Sequence, residues 1–223
     1  MKKSICRRTT AYTSGILVLT IGVGLTVKAN LGVSPTTSIP YTITLITGID
    51  MGKTTILFHI FLIAVQIILL RKNFKIRNFL QIPVAIIFGY FTDVSNRAVD
   101  MIPFPNTMPV RLMLNITGTF LIALGVSIYL PAEIMPIAVE GTIQIISDSL
   151  KFEFSYVKIA FDISLVIISL VVCSIALHSL GSIGIGTLIS AILTGAFMKL
   201  IKVISEKINI KFKGENLHDT NRS

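Results

Sequence analysis

Glu140 is the residue with the most chemistry to offer. It stands inside MPIAVEGTIQII, an apolar run in which an unpaired carboxylate is expensive. A carboxyl in such a run is paired, protonated or set in a water-filled cavity, which makes it a candidate to carry a proton or a cation. A second stretch, Ser34-Pro35-Thr36-Thr37, reads as a helix start: Ser34 can cap, and Pro35 suits the first helical position because it has no N–H to lose. Such a start presents free N–H groups and partial positive charge, hence affinity for an anion. A surface-lying helix capped by water has the same sequence, and depth in the membrane separates the two. Pro136 follows a similar break, with Glu140 one turn later. We therefore select Ser34, Thr36, Thr37, Tyr41, Glu140 and Thr142 as candidate substrate-binding residues, and Glu140 and Asp93 as candidate coupling groups.

The remaining polar residues have plainer readings. Asp93 is one turn from Arg97, so an intrahelical ion pair explains it. His59 and Asp162 sit near the starts of their apolar runs, where they face each other or lie at the interface. Lys28 and Glu133 pair only by long reach, and snorkelling to the headgroups is preferred. GIDMGKT has three residues between its glycines where a phosphate-binding loop needs four, and GSIGIG lacks the dinucleotide order. Glycines 22, 24, 184, 186 and 195 read as close-packing positions. The NIT triplet at 115–117 falls inside an apolar run and is silent. Cys6 and Cys173 read as small packing residues without a disulfide. No Cys/His metal spacing and no nucleophile–base pair is visible, so we expect no metal, no cofactor and no enzyme.

Composition sets the elements that must hold these groups. Of 223 residues 52% are hydrophobic and only 14% charged, against roughly a quarter charged in soluble domains. The mean hydropathy is +0.81. Lipid tolerates only helices or closed barrels, and long unalternating apolar runs are helical. We expect an all-α polytopic membrane protein forming one integral domain over 1–223, with the bilayer as its first partner. The 20 Lys and Arg against 11 Asp and Glu cluster at the ends of apolar runs, as in cytoplasmic loops. No aromatic pattern for RNA accompanies them, so no nucleic acid is expected. VKA before Asn30 imitates a signal-peptidase site, but the apolar run Ala11 to Val27 exceeds a signal core and predicts an uncleaved first span.

Full spans of about 20 apolar residues are expected near 11–30, 53–71, 78–99, 109–131, 155–177 and 182–203. Two further segments, about 36–49 and 133–150, are too short or too acidic to lie freely in lipid and read as short, interrupted or re-entrant helices. Six spans place 16 of the 20 basic residues on the cytoplasmic side, and eight place 15 there. We adopt six, because the loop 71–77 is dense in base and free of acid.

The halves resemble each other. TSGILVLTIGVGLTVKAN at 13–30 aligns without a gap on ITGTFLIALGVSIYLPAE at 116–133, an offset of 103 (118 − 15). The same offset relates ILFHIFLIAVQIILL to IAFDISLVIISLVVC, and an offset of 106 relates Gly89 and Phe91 to Gly195 and Phe197. Repeat 1 is placed at 11–100 and repeat 2 at 109–203, each with three full spans and one short helix. A polar cytoplasmic tail is expected at 204–223. An odd number of spans per half inverts the second copy, a plan that recurs in secondary transporters with the site at the repeat interface.

GLTVKANLGVSPTTSI, LPAEIMPIAVEGTIQ and GSIGIGTLISAILTGAFMKLI resemble the YczE/YyaS/YitT group of bacterial membrane proteins, its YczE-like branch in particular, over about 14–203. Members often carry a bulky aromatic and an acid just after the first proline, where this chain has Thr36 and Thr37. The resemblance implies a multi-span protein of the bacterial inner membrane, with both termini cytoplasmic on the charge pattern, and names no activity. We expect a secondary transporter or permease for an unknown small molecule or ion, bound between the halves. The alternative is a non-transporting membrane scaffold or regulator; a channel comes third and a membrane enzyme fourth. The oligomeric state stays open.

Overall fold

The computed structural model describes residues 2–219, and the side chains of 5–205. The described residues hold eight α-helices, three short 3-10 turns and no strand: α1 (Lys2–Ala29), α2 (Pro35–Thr47), α3 (Met51–Leu70), α4 (Gln81–Asp100), α5 (Met108–Tyr129), α6 (Ala138–Leu150), α7 (Phe154–Leu177) and α8 (Ile185–Asp219). Five segments are long and apolar enough to cross a membrane: Ile5–Ala29, Met51–Asn73, Met108–Ala132, Phe154–Leu177 and Ile185–Ser205. The sixth expected span corresponds to α4, which is not among them. Asp93, Arg97 and Asp100 crowd its last turns. The tail expected from 204 continues the α8 backbone to Asp219; its side chains beyond 205 and residues 220–223 lie outside the described residues.

The bundle is organised around α1 and α5, which pack along their length. Their backbones meet at four glycines. A Cβ built on Gly22 would come 2.6 Å from the Gly118 carbonyl oxygen, and one on Gly118 would come 2.7 Å from that of Gly22. Gly15 and Gly125 meet in the same way: a Cβ on Gly125 would lie 2.6 Å from the Gly15 oxygen. Lipid gives helices no hydrophobic reason to associate, so van der Waals contact through small residues carries the interface. α4 packs on the outside of α1 and α8 on that of α5. α3 packs closely on α4, whereas α7 and α8 scarcely touch.

The chain breaks after α1 and after α5. Asn30 (φ 49°) ends the first helix and Glu133 (φ 51°) the second, both left-handed. The last carbonyls of a helix have no partner within it. Here each set is met by an arginine from the other helix. Arg111 Nε donates to the Ala29 carbonyl at 2.8 Å and its terminal nitrogen to that of Asn30. Arg8 donates to the Ala132 carbonyl at 2.8 Å and to that of Glu133 at 3.0 Å. One turn on, Asn115 Nδ2 donates to the Gly32 carbonyl at 3.3 Å and the Tyr12 hydroxyl to that of Met135 at 2.8 Å. Lys28 pairs with Asp100 (3.2 Å) and Glu133 with Arg8 (3.7 Å), so the Lys28–Glu133 pair weighed from the sequence is replaced by two nearer partners.

After each break comes a helix of 13 residues, α2 from Pro35 and α6 from Ala138, whose starts are 103 positions apart (138 − 35). At 1.5 Å per residue each is about 20 Å long, short of a bilayer core of about 30 Å. α2 packs on α7 and α6 packs on α3. Pro35 occupies the first turn of α2 as expected, but Ser34 does not cap in the expected way. Its hydroxyl lies 3.3 Å from Thr36 Oγ1 and 3.1 Å from Thr37 Oγ1, forming a hydroxyl cluster.

Gly22→Ala places a methyl group against the α5 backbone and is expected to cost about 1–3 kcal/mol, the usual penalty of overpacking. Gly195→Ala, where a Cβ meets nothing within 4 Å, is expected to change stability by only a few tenths. Thermal unfolding of the two variants in detergent distinguishes a backbone contact from a general intolerance of alanine.

Candidate functional site

Polar pins fix where the two short helices begin. On α2, Ser38 Oγ donates to the Pro35 carbonyl at 2.7 Å and accepts from Ser169 of α7 at 3.0 Å. Thr42 Oγ1 lies 2.6 Å from Ser182 Oγ, beyond the end of α7. On α6, the Gln66 amide of α3 donates to the Ala138 carbonyl and to Thr142 Oγ1, both at 3.1 Å. Gln66 also exchanges reciprocal bonds of 2.9 and 3.0 Å with Gln81. All of these groups are buried. A glutamine pair in apolar surroundings persists because both amides are satisfied at once.

The two helix starts line one small, partly open cavity of about 50 Å³. Ser34, Thr36 and Thr37 come from α2, Val139 and Glu140 from α6, Thr55 and His59 from α3. Leu19, Val23, Ile122 and Val126 close it from the α1–α5 side. Leu19 and Ile122 fall between the Gly15–Gly125 and Gly22–Gly118 contacts, so the cavity sits beside the middle of the α1–α5 seam. Its volume is that of one or two water molecules. His59 Nδ1 is buried without a hydrogen-bond partner. Glu140 Oε2 and the Tyr129 hydroxyl are buried near each other, the hydroxyl being the closest side-chain donor to that carboxyl but not at full hydrogen-bond distance. His59 is only 3% exposed, and its ring lies 5.2 Å from that of Phe88. Leaving a buried polar group unpaired costs about 1–3 kcal/mol, so a polar occupant such as water would relieve His59 and Glu140 within a lining that is otherwise largely apolar. Glu140 falls in the first turn of α6, where unpaired backbone N–H groups favour negative charge.

Two open recesses flank this cavity. A vestibule of about 620 Å³ is bordered by Lys75, Arg77, Glu133, Pro136, Gln144 and Glu140. A cleft of about 380 Å³ between α7 and α8 is bordered by Ser34, Thr36, Ser155, Lys158, Asp162 and Gly195. Glu140 thus belongs to both vestibule and cavity, and Ser34 and Thr36 to both cavity and cleft. Inside the cleft Lys158 Nζ bonds both Asp162 oxygens at 2.9 and 2.8 Å, a half-buried pair.

Of the residues singled out from the sequence, Ser34, Thr36, Thr37 and Glu140 therefore come together. Three do not line the cavity. Tyr41 packs against the apolar cluster around α1 and α5. Thr142 is engaged by Gln66. Asp93 accepts a hydrogen bond from the Gly52 N–H at 2.6 Å, at the start of α3. Arg97, expected beside Asp93, reaches instead toward Asp50 at 4.0 Å. Lys53 bonds the same Asp50 at 2.9 Å and holds its carboxyl below the usual range. His59 and Asp162 also separate, one to the cavity and the other to the cleft. Thr55 and His59 were not selected, although their spacing of four puts both on one face of an apolar helix.

Residues 6–203 match the family described as a family of unknown function, DUF6198. Two proteins of Bacillus subtilis (strain 168) are similar over most of their length. The uncharacterized protein YyaS is 29% identical over 196 residues, covering 88% of this chain and 92% of that protein. The uncharacterized membrane protein YczE is 24% identical over 200 residues, covering 89% and 87%. No solved structure matches.

Gln66→Leu leaves the buried Gln81 amide without its partner, while the Ala138 carbonyl keeps the Thr142 hydroxyl at 2.7 Å, and is expected to cost about 1–3 kcal/mol. The double variant Gln66→Leu/Gln81→Leu is expected to recover part of that loss, since both amides are then gone. Unfolding of the two variants side by side measures the pair.

Proposed function

The chain belongs to the DUF6198 family of unknown function, and we infer that it is a small secondary transporter of the bacterial inner membrane, carrying a small molecule or ion through the cavity between α2 and α6. One observation carries this: a small cavity beside the middle of the α1–α5 seam is lined by the starts of both broken helices and by the Glu140 carboxyl, and two larger recesses adjoin it. Transporter sites are commonly formed by interrupted helices at the interface of repeated halves.

Inverted repeats are supported by polar contacts that recur at the sequence offset of 103. Arg8 and Arg111, Tyr12 and Asn115, and the carbonyls they bind all correspond at that spacing. The packing partners exchange as well, α2 on α7 and α6 on α3. With α4 as a sixth span and α2 and α6 re-entrant, both termini and the 71–77 loop fall on the basic, cytoplasmic side. YczE, one of the similar proteins, is itself called a membrane protein. In this scheme Ser34, Thr36, Thr37 and Glu140 touch the transported species, and Glu140 couples its movement to a proton or cation. A non-transporting scaffold is the other reading, but a water-accessible vestibule that reaches Glu140 favours transport.

Purified protein in proteoliposomes is expected to take up one member of a broad metabolite and ion panel. Glu140→Gln keeps the shape and removes the charge, and is expected to lower that uptake by about a hundredfold or more, the scale on which essential proton-transfer groups contribute. Uptake unchanged by Glu140→Gln would remove Glu140 from the mechanism. No uptake of any panel member would favour the scaffold.

A further inference from the structure

Two helix seams occupy corresponding positions in the proposed repeats, and they are in opposite states. Gly52 of α3 and Gly89 of α4 touch backbone to backbone. A Cβ built on Gly89 would come 2.5 Å from the Gly52 carbonyl oxygen, and one on Gly52 would overlap that of Gly89. Asp93, one turn beyond Gly89, accepts the Gly52 N–H at 2.6 Å. The corresponding residues in the second half are Ser155 on α7, at the offset of 103, and Gly195 on α8, at 106. Both line the open cleft, and a Cβ on Gly195 would meet nothing within 4 Å.

The seams also lie at opposite ends of the bundle. α3 runs from Gly52 to the 71–77 loop and α4 runs back, so the Gly52–Asp93 contact is at the end away from that loop. Phe154, next to Ser155, shares the vestibule with Lys75 and Arg77 of the loop region. Behind the closed seam is the same cavity: Thr55, three residues after Gly52, and Phe88, beside Gly89, both line it.

We propose, on the basis of the transporter function inferred for it, that the α3–α4 seam is the second gate of the path, latched by Asp93 while the α7–α8 cleft is open, and that the two seams exchange states. The chemistry suits a latch. Gly52 N–H lies in the first turn of α3 and has no partner in its own helix, so the Asp93 carboxylate supplies a charge-assisted bond. When the helices part, water entering from that end solvates both groups. No side chain between the glycines has to be displaced, so separation is a rigid-body movement of packed helices. Asp93 is then a positioning residue for access and not a group that touches the cargo.

The test reads opening directly and needs no transported solute. Cys6→Ser removes the exposed thiol, Ile56→Cys places a reporter against Gly89, and native Cys173, fully buried on α7, serves as the control. A membrane-impermeant maleimide is applied from the face opposite the 71–77 loop. Reporter labelling is expected to be slow, and to rise about tenfold in Asp93→Asn, as expected from weakening one charge-assisted hydrogen bond. Ser155→Gly recreates the Gly–Gly contact at the open cleft, favours its closing and is expected to raise labelling likewise. Cys173 should stay unlabelled throughout. Unchanged reporter labelling in either variant overturns the exchange, and so does labelling of Cys173 in step with the reporter, which marks general loosening. Glu140-dependent uptake without reporter labelling would overturn the gate and leave the transporter standing.

Discussion

The close approach of α1 and α5 is the constraint on which the rest of the structure depends. Ordinary helix pairs are held about 8–10 Å apart by their side chains. At Gly15, Gly22, Gly118 and Gly125 nothing but hydrogen separates the backbones. That proximity lets Arg8 on α1 reach the end of α5, and Arg111 on α5 reach the end of α1. Bulkier seam residues would move each guanidinium away from the carbonyls it satisfies. The apolar cluster of Ile16, Leu19, Val23, Ile122 and Val126 then packs on the same axis.

Those arginine contacts are what make two chain breaks tolerable. Irregular backbone at membrane depth persists only where protein or trapped water satisfies its polar groups. The first break is met by Arg111 and Asn115, and its Val33 N–H by the Ser182 carbonyl at 3.1 Å. Arg8, Arg77 and Tyr12 bond the carbonyls of the second. With the breaks secured, α2 and α6 start beside the middle of the α1–α5 seam, and each is steadied by a helix from the other half of the chain. The cavity follows from that arrangement, since two helix starts that converge leave a small space where hydroxyls, one imidazole and one carboxyl meet an otherwise apolar lining.

Part of the candidate site was legible in the sequence because its signals are local. Ser-Pro-Thr-Thr marks a helix start wherever it lies, and Glu140 is conspicuous for its charge in an apolar run. Thr55 and His59 gave a weaker signal, since small hydroxyls and a neutral imidazole are common on packed helix faces. Asp93 shows how a sensible local rule loses. A partner four residues away in Arg97 was available, yet the unpaired N–H of Gly52, distant in sequence, lies closer in space and is short of an acceptor. Lys28 and Glu133 likewise found partners on neighbouring elements, because at a bundle end the nearest opposite charge depends on packing.

Composition and periodicity alone determined that the chain is helical and membrane-embedded, where its apolar segments lie, and that two segments are too short to span. Those properties follow from transfer free energies and helix rise, which act residue by residue. Only the tertiary structure decided which polar groups meet: the arginines at helix ends, the glutamine pair, the hydroxyls and carboxyl around one cavity, and the closed and open seams. Each of these depends on distances between segments far apart in the chain. A hydrogen bond is made or lost within a few tenths of an ångström, a precision that spacing along a sequence does not carry.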